Sequence, residues 1–274
     1  MGFLMGADGE FTRAPSTTPV RAASGLHDED TTMLKNILLG ACALGSLALA
    51  GAAAAQPATN WNGPYVGVLA GAQFGSASFA LPGDTADVLQ STHASKTALT
   101  YGGMVGFNAT MGGVVLGVEG DLMDANKTRS VIACTAVDGC FTSAHDSFTT
   151  FNNLHQTLNG HVRARAGIAS GDNLFYVAGG YAVAKTRLDL VGDCYDPTNP
   201  TVPMVFNYSR SRTVGGYTLG AGVEHAMGSH LLVRAEYLYD GYGSQTYAGD
   251  GAEWNDRRIS LHDSNLRVGV SYKF

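Results

Sequence analysis

Charge is scarce in this chain of 274 residues: Asp, Glu, Lys and Arg make up 15% of it, with 23 acids against 17 Lys and Arg. Disorder needs low hydrophobicity together with high net charge, so that class is excluded. The formal charge of −6 and a pI near 5.7 leave no basic footprint, and no nucleic-acid partner is expected. Long apolar runs are also missing, with one exception between Ile37 and Ala55. With a mean hydropathy of +0.02, a bundle of transmembrane helices is excluded as well. Cysteine is rare: Cys42 lies inside the apolar run, and Cys134, Cys140 and Cys194 remain, an odd number. Glycine, by contrast, is abundant at 36 residues.

The apolar run follows Met33-Leu34-Lys35-Asn36 and ends in Ala52-Ala53-Ala54-Ala55 before Gln56-Pro57. A short basic segment, an apolar segment and a small-residue cleavage site describe a secretory signal peptide over 33–55, cut near Ala55. A single membrane-spanning helix is the competing reading, but Ala and Gly dominate the run. Residues 1–32 are polar and place Asp28-Glu29-Asp30 just before Met33, where a leader should begin. They are expected to be a mis-assigned or disordered extension, with translation starting at Met33. The barrel domain described next is expected over 56–274.

Downstream of the leader no segment has a helical period. Segments alternate in polarity instead, as strands do. In the last, Leu266, Val268, Val270, Tyr272 and Phe274 share one face, while Asn265, Arg267, Gly269, Ser271 and Lys273 share the other. The same pattern recurs over 64–74, 96–109, 114–124, 155–169, 174–187, 213–226 and 231–242, making eight strands. Three connections are tight: Met111-Gly112-Gly113, Ser170-Gly171-Asp172-Asn173 and Gly228-Ser229-His230. Four are long: 75–95, 125–154, 188–212 and 243–263. Strict alternation of long and short puts every long loop at one end. The pattern fits a closed, all-β, eight-stranded antiparallel transmembrane β-barrel with four long outer loops and three short periplasmic turns.

A soluble barrel would turn the apolar face inward. Three features favour the inverted arrangement. The polar face carries both signs: Glu119, Asp121, Glu224 and Glu236 against Arg163, Arg165, Arg234, Arg267 and Lys273. It is also rich in glycine, including Gly180, Gly220, Gly222 and Gly269, which suits a narrow lumen. The apolar face places Tyr237, Tyr239, Tyr272 and Phe274 near strand ends, as an interfacial girdle would. Glu119, Asp121, Arg163, Arg165, Glu224, Arg234, Glu236 and Arg267 are therefore expected to form a charge network inside the barrel. Either they line a channel or they neutralise one another in a filled lumen, and eight strands leave an interior that side chains can fill.

Trp61-Asn62-Gly63-Pro64-Tyr65-Val66-Gly67 resembles the opening strand of opacity-type and agglutinin-like outer-membrane β-barrel porins. Gly117-Val118-Glu119-Gly120-Asp121, Arg163-Ala164-Arg165-Ala166-Gly167, Gly220-Ala221-Gly222-Val223-Glu224 and Val233-Arg234-Ala235-Glu236-Tyr237-Leu238-Tyr239 are similar to later strands of that family, in the same order. Pro64 departs from the Phe or Leu of the pattern, and proline is tolerated at a strand start. The resemblance implies a small barrel related to the OmpA membrane domain, with structural, antigenic, adhesive or narrow-porin roles. It implies no catalytic residues. The closing Val268-Gly269-Val270-Ser271-Tyr272-Lys273-Phe274 is similar to the signal read by the barrel-assembly machinery, with Phe274 as its last residue.

Cys134 and Cys140 bracket five residues of one loop, and a local disulfide is open to them in an oxidising compartment. A bridge to Cys194 and no bridge at all remain alternatives. A zinc site with His145 or His155 has the wrong spacing for a compact motif. His93, His145, His155 and His262 lie near Ser91, Ser147, Ser260, Asp146 and Asp263, but no hydrolytic motif emerges. Aromatic and aliphatic residues of the loops, among them Phe79, Phe151, Tyr247 and Trp254, are either anchors for a partner or the loops' own small cores. The sequence thus predicts an exported, multi-pass outer-membrane barrel that needs no cofactor or metal and is not an enzyme. Its partners are membrane lipid, the assembly machinery, and host or envelope ligands at the long loops. Its role is structural or surface-interactive. A narrow porin is the alternative, and a lipid A-modifying or protease-type barrel comes behind it.

Overall fold

The computed structural model describes residues 59–81, 87–89, 91–135, 149–194, 204–249 and 256–274. The alternating segments become β1 (Gly63–Ala80), β2 (Asp87–Leu89), β3 (His93–Met111), β4 (Val114–Thr135), β5 (Thr149–Ser170), β6 (Asn173–Cys194), β7 (Met204–Met227), β8 (Leu231–Tyr247) and β9 (Arg257–Lys273). No helix occurs among the described residues. Eight strands close into an antiparallel ring, sealed by the β4–β5 and β1–β9 pairings, and the short β2 lies on the outer end of β4. Closure leaves no unpaired sheet edge at membrane depth, where water cannot satisfy one. Gly112 and Gly113, at φ 58° and 87°, make the turn between β3 and β4 in a conformation that side chains disfavour.

Every strand runs further at its outer end than the sequence suggests. β4 continues to Thr135 and β6 to Cys194, while β5 begins at Thr149 and β7 at Met204. Much of the expected loops 125–154 and 188–212 is therefore strand, as are parts of 75–95 and 243–263. The hydropathy signal fails there for a physical reason. Past Met123, Lys127 and Arg129 point inward while Asn126, Thr128 and Ser130 point outward, so both faces are polar and the two-residue period vanishes. Residues 1–58, Cys140, His145, Ser147, Asp146 and Trp254 lie outside the described residues, and with them the leader, the extension and the second cysteine of the local pair.

Facing changes along the strands, at the outward face on β6 and at the inward face on β9. Low on β6 the outward side chains are Phe175, Val177, Tyr181 and Val183; higher up they are Lys185, Arg187 and Asp189. Inward residues do the reverse: β9 carries Lys273, Arg267 and Asp263 below, then Leu261 and Ile259 above. The outward apolar stretch is about nine to eleven residues on most strands, the length a tilted strand needs to cross the hydrocarbon. Beyond it, β6 rises for about 30 Å of strand at about 3.3 Å per residue.

This emergent part is no longer a closed ring. β3 pairs with β4 only over Gly102–Met111, so 93–101 of β3 pair with β1 alone and 124–132 of β4 with β5 alone. β7 pairs with β8 only over Tyr217–Met227, leaving 204–216 to β6. Above the membrane the wall thus divides into two sheets, β8-β9-β1-β3 and β4-β5-β6-β7, the second edged by the short β2. Ala77, Phe79, Tyr242, Tyr247, Ile259 and Leu261 of the first pack against Val131, Leu154, Leu188, Leu190 and Val214 of the second. Two sheets facing one another over an apolar core form a sandwich. Phe79 and Tyr247 belong to this core, while Phe151 faces outward.

Candidate functional site

Strand parity brings the charged residues of five strands, β4, β5, β7, β8 and β9, to one level of the interior. Glu119 of β4 accepts hydrogen bonds from Tyr65 Oη at 2.7 Å and Arg234 Nη1 at 2.6 Å, from Arg163, and from Arg165 Nη1 at 3.4 Å. Asp121 accepts from Arg163 at 3.0 Å and from Arg267 at 3.2 and 3.3 Å. Glu224 lies 3.3 Å from Arg165 and 2.7 Å from Arg234. Glu236 accepts from Arg163 at 3.1 Å, Arg267 at 2.7 Å and Tyr176 Oη at 3.0 Å. All eight charged residues named from the sequence are buried. Two tyrosines complete the shell: the Arg165 guanidinium lies 4.2 Å from the Tyr176 ring centre and that of Arg234 5.4 Å from the Tyr65 ring centre.

Two members had no place in the expected network. His161 Nδ1 stands 2.6 Å from Asp121 Oδ1 and its Nε2 stands 3.1 Å from Asp240 Oδ2, which also accepts from Asn265 Nδ2 at 2.7 Å. A carboxylate only accepts, so a ring bonded to one at each nitrogen must carry both protons and be an imidazolium. His161, Arg163, Arg165, Arg234 and Arg267 then balance Glu119, Asp121, Glu224, Glu236 and Asp240. Parity alone could have found this pair, since His161 alternates in step with Arg163 and Arg165 on β5, and Asp240 with Arg234 and Glu236 on β8.

A second cluster lies above the first. Asp263 accepts from Lys127 at 2.9 Å, Arg129 at 2.6 Å, Gln156 at 2.7 Å and Gln73 at 3.0 Å. It ties β4 and β5 of one sheet to β1 and β9 of the other. Lys127 and Arg129 belong to the stretch 125–154, which the sequence predicts as loop, and no hydropathy contrast marks them. The interior is therefore layered. Trp61, Val115, Leu174, Tyr176 and Leu232 fill the lower end, two ionic layers follow, and the apolar core of the sandwich lies above.

The histidines considered for hydrolysis are placed otherwise. His93 shares a hydrogen bond with Ser78 at 2.9 Å, and His262 with Tyr239 Oη at 3.0 Å, while Asp263 points inward away from it. His155 lies in an outward ladder, 2.8 Å from Thr128 Oγ1 and 3.2 Å from Asp189. Partial burial pushes the Asp189 carboxyl up, but Ser209 and Arg187 donate to it and hold it below the usual carboxylate range. This ladder lies open on the strand surface. No group of three or more His, Cys, Asp or Glu suited to a metal occurs among the described residues. The end of β4 places the Cys134 backbone opposite Val88 and Thr149.

The family model described as outer membrane protein beta-barrel domain matches residues 41–274. The 31 kDa outer-membrane immunogenic protein of Brucella melitensis is 29% identical over 224 residues, covering 78% of this chain and 84% of that protein. The 22 kDa outer membrane protein of Rhizobium leguminosarum is 25% identical over 221 residues, covering 80% and 81%. The solved structure of outer membrane protein OprG from Pseudomonas aeruginosa is 12% identical, covering 79% of this chain and 98% of that one, with a TM-score of 0.42.

Proposed function

The chain belongs to the outer membrane protein beta-barrel domain family, and on that premise we propose that it is a closed structural barrel whose two-sheet head is displayed at the cell surface. It resides in a bacterial outer membrane, as its curated relatives do. The observation that carries the closed reading is the filled interior. The charged side chains are buried and paired with one another, and apolar layers lie below and above them. Display fits the relatives named immunogenic, whose sequences align along most of this chain. Membership among the opacity-type and agglutinin-like barrels is supported by the ordered strand motifs, and contact with host or envelope ligands by the height of the head. The leader is removed near Ala55 on export.

Transport and closure are separated by conductance. In planar bilayers the purified protein is expected to give no reproducible single-channel steps at moderate voltage. Uniform steps would assign it the porin role instead. Assembly is tested at the other end of the chain. Phe274 is exposed on the outward face beside Tyr272, with ring centres 5.2 Å apart. Deleting it is expected to leave secretion intact and to reduce folded barrel in the membrane several-fold, measured by heat-modifiable gel migration. Unchanged barrel levels would remove Phe274 from the assembly signal.

A further inference from the structure

The two seams of the head are spanned by different means. Across the β7–β8 seam, Arg212 Nη1 donates to the Thr246 carbonyl at 2.8 Å and Tyr208 Oη to the Ala248 carbonyl at 3.0 Å. Among the described residues no side-chain hydrogen bond joins 93–101 of β3 to 124–132 of β4. The chain itself crosses the top of that seam. Phe79 N donates to Thr92 O at 2.8 Å, which keeps the end of β3 on β1. Ser91 Oγ then bonds the His93 carbonyl at 2.8 Å and the His93 N–H at 3.2 Å, and the chain bends away to β4. There β2 sets Leu89 opposite Ala133. This register is three residues out of step with the one below. Continued upward from Gly102 opposite Met123, the lower register would bring Thr92 opposite Ala133. The two registers exclude one another, because 133–135 of β4 can pair with 87–89 or with 90–92.

Most side chains would accept closure of the seam in the lower register. Outward it would pair Ser95 with Ser130 and Thr97 with Thr128; inward it would pair Ala94 with Val131 and Thr100 with Ala125. One pair is hostile: Lys96 would stand opposite Arg129, and like charges directly opposite destabilise a sheet. Arg129 and Lys127 already share a single carboxylate, that of Asp263. The Arg129 guanidinium also occupies the space a Gly75 side chain would take, and Gly75 is paired directly with Lys96. Lys96 shares that inward face and is nevertheless exposed, so it reaches water through the seam. We propose that β2, β3 and β4 form a two-register switch, held open by the charge of Lys96. In the open register β2 straps the top of the seam. In the closed one 90–101 zip onto β4 and 87–89 are released.

The test introduces Ser95→Cys and Ser130→Cys into a full chain with Cys134, Cys140 and Cys194 changed to serine, reconstituted in bilayers and oxidised with copper phenanthroline. The two positions face one another only in the closed register, and a disulfide needs Cα atoms within about 7 Å. With Lys96 present, bridging is expected to be slow. K96E should bridge about tenfold faster, since a carboxylate opposite Arg129 turns a repelling pair into an attracting one. K96R, which keeps the charge, should behave as wild type. Amide exchange read by mass spectrometry supplies the second arm: in K96E, 124–132 should slow about tenfold while 87–89 speed up. Heat-modifiable migration confirms folding, and K96Q, which only removes the charge, replaces K96E if that does not fold. Equal bridging by K96R and K96E, or slower exchange over 124–132 with 87–89 still protected, would overturn the switch.

Discussion

Replacing Glu119 with alanine is expected to destabilise the barrel by about 3–5 kcal/mol, the cost of stranding buried charge. Glu119 has more guanidinium partners than any other carboxylate in the lower layer: Arg163, Arg165 and Arg234 all bear on it, and Tyr65 donates to it. Its loss leaves three guanidinium groups beside Glu224, Glu236 and Asp121, which already have partners. The comparison is Val162→Ala on the neighbouring strand. Val162 faces outward and is 69% exposed, so lipid fills the space it vacates and little is lost. Urea unfolding in detergent, followed by the fluorescence of the buried Trp61, measures both. A larger loss from Val162→Ala than from Glu119→Ala would mean that the inside and outside of the wall are exchanged.

The second large effect belongs to the head. Leu190 of β6 is buried in the core between the two sheets. Truncating such a leucine costs about 2–5 kcal/mol, and putting a carboxylate there costs more. Leu190→Asp is therefore expected to open the head and admit protease, while the lower ring, closed and independently braced by its ionic layer, keeps its heat-modifiable migration. Val177→Lys on the same strand should do the opposite. Val177 faces lipid, where a lysine costs about 2–4 kcal/mol near the midplane, so membrane insertion suffers. Simultaneous collapse of ring and head in Leu190→Asp would show one cooperative body instead of two.

The lower ring was legible in the sequence because lipid outside and charge inside give the strongest period-2 contrast a strand can carry. Leu266 to Phe274 against Asn265 to Lys273 is that contrast in full. The emergent half hid for two reasons. Where ionic interior meets polar exterior, as from Asn126 to Ser130, the contrast vanishes. Higher still the contrast inverts, and Ile259 and Leu261 of β9 then share a face with the polar inward set of the lower strand, as loop residues would. A bulge where Leu158 and Gln156 shift register breaks the parity of β5 as well. Long-range pairing decides the rest: neither the seams nor the partners of Asp263 follow from any local pattern.

The reversal of facing along a single strand is tested most directly on β6. Single cysteines at Phe175, Val177, Tyr181, Val183, Lys185, Leu188, Arg187, Asp189 and Leu190, in a chain with Cys134, Cys140 and Cys194 changed to serine, are reconstituted in bilayers and exposed to a water-soluble maleimide. Labelling is expected only at 185, 187 and 189, with 175 to 183 shielded by lipid and 188 and 190 shielded by the opposing sheet. Labelling of 175 to 183 as fast as 185 to 189, or of 188 and 190 as fast as their outward neighbours, would contradict a membrane ring crowned by a two-sheet head.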